Sequence, residues 1–97
     1  MNDINLYSNP KKALINAKKY LGEDTELYIS NRKNMKYMIL DDNNKFVHFG
    51  RIGYSDYTKH KDEKRRINYL KRATNIKGDW KNNKYSPNQL SINILWT

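Results

Sequence analysis

Apolar positions recur at helical spacing near both ends of the chain, with three short strand-like runs between them. Over residues 9–22, Leu14, Ala17 and Leu21, flanked by Ile15, form a stripe at three- and four-residue intervals. Lys11, Lys12, Lys18 and Lys19 fall mainly on the other side. Ser8 or Asn9 suits the cap, Pro10 the first turn and Gly22 the stop, so the spacing predicts an amphipathic helix. Residues 27–29, 35–40 and 45–49 then read as strands. The polar connections between them, Asn-Arg-Lys-Asn at 31–34 and Asp-Asp-Asn-Asn at 41–44, are short enough to favour antiparallel hairpins, hence a three-stranded meander. Alternation places Phe46 and His48 on one face and Val47 and Phe49 on the other.

The segment Gly50-Arg51-Ile52-Gly53-Tyr54-Ser55-Asp56-Tyr57-Thr58 interrupts this pattern. Two glycines three apart permit a sharp change of direction or a close backbone approach. A second helix is expected over residues 58–73, capped by Asp56 or Thr58, with Ile67, Leu70 and Ala73 as a narrow apolar face. Its remaining surface is basic, and Asp62 and Glu63 within it are placed for local pairing. Residues 75–85 read as an ordered loop pinned by Trp80. Ser86-Pro87 opens a terminal helix whose Leu90, Ile94 and Leu95 are expected to dock on the sheet, with Trp96 near its end. These elements define one α+β domain over residues 1–97: an N-terminal helix, a three-stranded antiparallel sheet, a basic helix and a C-terminal helix.

Charge changes the picture more than hydropathy does. The net charge is +9. Residues 1–58 hold nine Lys/Arg against seven Asp/Glu, whereas residues 59–97 hold ten against three. Basic charge gathered in one part of a chain makes a local potential that attracts phosphate polymers. The competing reading is a lysine-rich solvated face of the kind an AT-rich genome encodes. Aromatic residues at 12% argue against disorder. Cysteine is absent, which excludes disulfides and thiolate metal sites or nucleophiles. The segment Met1 to Asn9 lacks the pattern of a signal peptide, and no apolar run approaches the roughly 20 residues that span a bilayer, so no membrane partner is expected.

Candidate chemistry is sparse. His48, Asp56, His60 and Asp62 are the one set that hints at general-base or metal-assisted work, but they form no local ligand motif. No catalytic residue, metal site or cofactor is therefore assigned. Gly50-Arg51-Ile52-Gly53 lacks the Gly-Lys-Ser/Thr ending of a nucleotide phosphate loop. Arg51, Lys61, Lys64, Arg65, Arg66, Lys71 and Arg72 are the candidate phosphate contacts, and Tyr54 and Tyr57 suit either packing over sugars and bases or plugging the helix against the sheet.

The stretch from Phe49 to Arg66, continuing to Tyr69 and Arg72, resembles a family of small basic proteins of giant nucleocytoplasmic large DNA viruses. That family shows Phe-Gly-x-x-Gly-Tyr-x-Asp-Tyr-Thr-x-His-x-Asp, then basic residues and a Tyr-x-x-Arg-His ending. A Trp follows, and a Leu-Trp pair closes the domain as Leu95-Trp96 does here. The likeness covers residues 27–96. Ala73 stands where the family often has His, and residues 82–92 differ from the Gly- and Trp-rich version of many members. The resemblance implies a viral source and a virion component; it supplies no mechanism. With the charge it leads to a sequence-nonspecific DNA-binding structural protein that helps compact or package a genome. The expected partner is DNA, duplex ahead of single-stranded, in the virion and in the host cytoplasm or nucleus. A minor capsid or scaffold protein that meets other virion proteins is the alternative, and a metal-dependent nuclease the more distant one.

Overall fold

The computed structural model describes residues 4–97; residues 1–3, the start of the segment read for a targeting signal, lie outside the described residues. Asn9 caps α1 (Pro10–Leu21), its side-chain oxygen accepting from the Lys12 N–H at 3.2 Å, and Pro10 occupies the first turn. The buried face of α1 is Ala13, Asn16 and Ala17, shifted from the expected stripe. Ile15 is exposed and Leu14 only half-buried. Two alanines let the helix backbone come close to the C-terminal segment, and Asn16 Nδ2 donates to the Ile94 carbonyl at 2.9 Å. A buried amide with a partner costs little, so close approach decides the orientation over side-chain size.

The sheet is the expected antiparallel meander, ordered β1 (Tyr28–Ile29), β2 (Met35–Leu40), β3 (Phe46–Arg51). Tyr37 pairs with Phe49 and Ile39 with Val47 on the inner face, while Leu40 pairs with Phe46 and Met38 with His48 on the outer face. Phe49 is fully buried and Phe46 exposed, as alternation requires. Strand β3 runs two residues past the expected end, through Gly50 to Arg51. Gly50 has φ +78°, and a Cβ there would lie 2.8 Å from Leu95 Cδ1 and 3.2 Å from Lys36 Cδ. The glycine serves close approach inside a continuing strand, and does not end it.

The core gathers Ala13 and Ala17 from α1, Tyr37, Ile39 and Phe49 from the sheet, and Leu90, Ile94 and Leu95 from the C-terminus. The last three lie on α4 (Pro87–Leu90), capped by Ser86 through the Gln89 N–H, and on the π-helical turn Ser91–Leu95 that continues it. Burying each contributes about 1.5–3 kcal/mol, so the terminal segment is an integral layer of the domain. It packs on α1 and β3. The loop before it is ordered as expected: Trp80 Nε1 donates to the Ile76 carbonyl and Ser86 Oγ to the Trp80 carbonyl.

The single basic helix expected over residues 58–73 is two helices, α2 (Tyr57–His60) and α3 (Glu63–Thr74). Lys61 adopts φ 55°, in the left-handed region. His60 Nδ1 accepts from the Asp62 N–H at 2.9 Å, and Asp62 Oδ1 accepts from the Lys64 and Arg65 N–H groups. Short polar side chains that bond the local backbone compete with the helical ladder, and here they win. The inner face of α3 also differs from expectation. Ala73 is buried and Arg66, Tyr69 and Leu70 are half-buried, whereas Ile67 is exposed.

Candidate functional site

The Asp-Tyr-Thr sequence at residues 56–58 builds a buried polar junction. Asp56 is fully buried and caps α2 by accepting the Thr58 N–H at 3.0 Å; the same carboxylate oxygen accepts the Thr58 hydroxyl. Its other oxygen pairs with Lys36 Nζ at 3.0 Å, and Lys36 is only 3% exposed. Thr58 Oγ1 also accepts the Asn9 N–H and meets Ser8 Oγ, which in turn accepts the Tyr37 hydroxyl at 2.7 Å. The junction thus ties the start of α1, strand β2 and the start of α2 together. Burial pulls the Lys36 ammonium below its ordinary value, with Asp56 opposing. Burial likewise pushes the Tyr37 phenol up to about 12.

A second junction fixes α3 through the C-terminus. The Trp96 ring stacks on Tyr69 at 4.2 Å and 9°, with His60 at 5.2 Å. Arg66 Nε donates to the Trp96 carbonyl at 2.8 Å, its Nη1 pairs with Glu63 at 2.9 Å, and its guanidinium lies 5.5 Å from the centre of the Tyr57 ring. Tyr57 donates its hydroxyl to Glu63, and that bond, followed by Arg66, holds the Glu63 carboxyl below its ordinary value.

Between these junctions opens a cleft of about 630 Å³, within the size range of small-ligand sites. Phe49, Leu95 and Trp96 line its apolar part, together with Tyr69. Arg51 from β3 and Arg65 and Arg72 from α3 line it as well, with Tyr54 from the glycine loop. Arg65 and Arg72 lie seven residues apart, two helical turns, and therefore share one face of α3. All three arginines are exposed.

The structure separates the seven candidate phosphate contacts into three groups. Arg51, Arg65 and Arg72 converge on the cleft. Lys61 is exposed at the break between α2 and α3, and Lys64 and Lys71 are exposed on α3, each about 100° round the helix from the neighbouring cleft arginine. Arg66 is committed to Glu63, Tyr57 and Trp96. Of the two tyrosines, Tyr54 stands exposed at the cleft and Tyr57 packs with Arg66 and His60. Sequence reading missed Asn68, Tyr69, Asn88 and Ser91 as cleft residues. The i, i+3, i+7 spacing of Arg65, Asn68 and Arg72 marked a shared helical face, but nothing in the sequence paired that face with Gly50 and Leu95.

The residues weighed for catalysis are each engaged locally. His48 Nδ1 lies 2.7 Å from Ser30 Oγ, Asp56 holds Lys36 and Thr58, and Asp62 caps α3. His60 Nδ1 accepts from Asp62, which places the proton of the neutral ring on Nε2, a buried atom with no partner in the structure. Burial, then the Arg65 charge, lowers the His60 pKa. Among the described residues no group of three or more His, Cys, Asp or Glu side chains is placed to hold a metal ion, and no helix is long and apolar enough to cross a membrane.

Residues 25–73 match the family described as "Family of unknown function (DUF5754)", and the chain belongs to it. The match takes in all three strands, the glycine loop and α3 almost to its end. No curated protein and no solved structure matches the chain.

Proposed function

We propose that this protein binds DNA through its phosphates, without sequence preference, as a non-enzymatic structural component that helps compact or package a viral genome. One observation carries the reading. Arg51, Arg65 and Arg72, brought together from a strand and a helix, meet at one concave surface on a chain of net charge +9. Guanidinium groups match phosphate geometry, and a concave basic surface concentrates the field that attracts a polyanion. Lys61, Lys64 and Lys71 extend the charge beyond the cleft. The proposed viral setting, in the virion and in the host cytoplasm or nucleus, rests on the resemblance of the Phe49-to-Arg72 stretch alone.

The test is a salt titration of binding to duplex DNA, single-stranded DNA and heparin. Each phosphate contact adds about 0.9 to the slope of log affinity against log salt on duplex, and about 0.7 on single strands. Arg51→Ala, Arg65→Ala and Arg72→Ala should each lower the slope by about that amount. Arg66→Ala should leave it unchanged and reduce stability, because that side chain is spent on the fold. A flat salt dependence would end the proposal.

A second reading, a minor capsid or scaffold component, is favoured by the outer face of the sheet. Tyr28, Leu40 and Phe46 are exposed there, with the Tyr28 and Phe46 rings edge to face at 5.7 Å. Such an apolar surface suits a protein neighbour. Co-sedimentation with capsid shells emptied of DNA, lost in Phe46→Ser, would support it over the DNA reading.

A further inference from the structure

The cleft holds more than phosphate recognition requires. A surface that reads only the backbone of a polyanion needs cations at the right spacing; it needs no apolar depression among them. Here the three arginines border a cleft whose accessible apolar wall is Tyr69 and Trp96, floored by the buried Phe49 and Leu95, and it is large enough for a flat heterocycle with its sugar. That wall is already locked: Tyr69 and Trp96 lie parallel at 4.2 Å, and the Trp96 carbonyl is held by Arg66. The site is therefore formed before a ligand arrives. Tyr54 stands out further. It is 70% exposed, the most exposed of the large hydrophobic side chains among the described residues, and it lines the cleft between two glycine-loop residues of low bulk, Gly53 and Ser55. An aromatic ring left in water at a cleft that three arginines also line matches a stacking surface for a base whose phosphates are already engaged.

We infer that the cleft takes one unpaired nucleotide of a nucleic-acid strand, its base against Tyr54 and the apolar lining and its flanking phosphates on Arg51, Arg65 and Arg72. The inference rests on the phosphate-binding reading above and narrows it from DNA in general to strands that present an unstacked base. It also reverses the order of partners expected from charge alone, which put duplex ahead of single strands. Asn68 supplies side-chain donors and acceptors at the same cleft, and Asn88 keeps its amide oxygen there while its Nδ2 donates to the Ala73 carbonyl at 3.0 Å. An unpaired base offers its Watson–Crick edge to such groups, while a paired one does not.

The test uses the full chain at one fixed salt concentration and three fluorescent probes of equal length and charge per strand: oligo-dT, the same backbone carrying abasic sites, and a blunt duplex. The expected result is binding of oligo-dT at least about tenfold tighter than the abasic strand, since stacking on an aromatic side chain is worth roughly that much or more per base. Tyr54→Ala should reduce oligo-dT to the abasic level and leave abasic binding unchanged. Because Tyr54 is exposed, the variant is expected to fold, and its unfolding transition checks this. Equal affinity for oligo-dT and the abasic strand would overturn the cleft inference while leaving phosphate binding intact, as would unaltered oligo-dT binding by a folded Tyr54→Ala. Absence of binding to all three probes would overturn the phosphate reading beneath it.

Discussion

At the residue scale, the Lys36–Asp56 pair is the sharpest electrostatic commitment in the molecule. Two charges almost fully withdrawn from water are tolerated because each is partnered and the carboxylate accepts further hydrogen bonds from Thr58. Removing one partner strands the other. Asp56→Asn, which leaves Lys36 without a counter-charge, should cost about 3–5 kcal/mol in urea unfolding, and Lys36→Met a similar amount. The double variant should lose clearly less than the sum, and a cycle that sums would disprove the coupling. His60 sets a pH dependence at the same scale. Its folded pKa lies below the roughly 6.5 of the unfolded chain, so between those values the unfolded state binds more protons. Stability should therefore fall as pH drops below about 6.5. His48, also lowered by burial, contributes with the same sign. The groups around His60 are Arg65, Asp62, Asp56 and Lys36. Urea midpoints measured from pH 8 to pH 5 should decline for the native chain. They should decline less for His60→Asn, which keeps an acceptor for the Asp62 N–H.

At the element scale, the two glycines of the loop have different reasons to be glycine. Both have positive φ, +78° at Gly50 and +106° at Gly53. A Cβ at Gly53 meets nothing within 4 Å, while one at Gly50 runs into Leu95 and Lys36. Gly53→Ala should thus cost only the backbone strain, about 1–3 kcal/mol. Gly50→Ala adds displacement of a core leucine and of the aliphatic stem of the buried lysine, and should be the more destabilising of the two by thermal unfolding. Equal losses would show that close approach at Gly50 is unimportant. The α2–α3 break belongs to this scale as well. Its function is geometric: Lys61 and Asp62 turn the chain so that α3 can present Arg65 and Arg72 to a cleft that a straight helix over residues 58–73 would address differently. The resemblance motif is therefore largely a structural one. Gly50, Asp56, Thr58, His60 and Asp62 place the basic helix, while Arg51, Arg65 and Arg72 stay exposed at the cleft and Arg66 is tied into the fold.

At the scale of the whole molecule, the C-terminus closes the site. Trp96 joins Tyr69, His60 and Arg66 and lines the cleft. Trp96→Ala should cost about 3 kcal/mol and loosen α3, which hydrogen exchange of the Glu63–Thr74 amides would register as faster exchange. Unchanged exchange in α3 would mean the stack is incidental. What the sequence alone determined was the local part of this design. Pro10, Ser86 and Pro87 marked helix starts, the polar turns at 31–34 and 41–44 marked the meander, and alternation sorted Phe46 from Phe49, because each depends on a few neighbouring residues. Tertiary structure decided which way the helices face and where the chain breaks. Ala13, Asn16 and Ala17 won the buried side of α1 over Leu14 and Ile15 because the C-terminal segment demanded close approach. Tyr69 won over Ile67 on α3 because Trp96, 27 positions downstream, supplied a ring to stack on. The cleft itself is lined by residues 36, 50, 65 and 95, which lie far apart in the chain, and such long-range convergence leaves no periodic signal in a sequence.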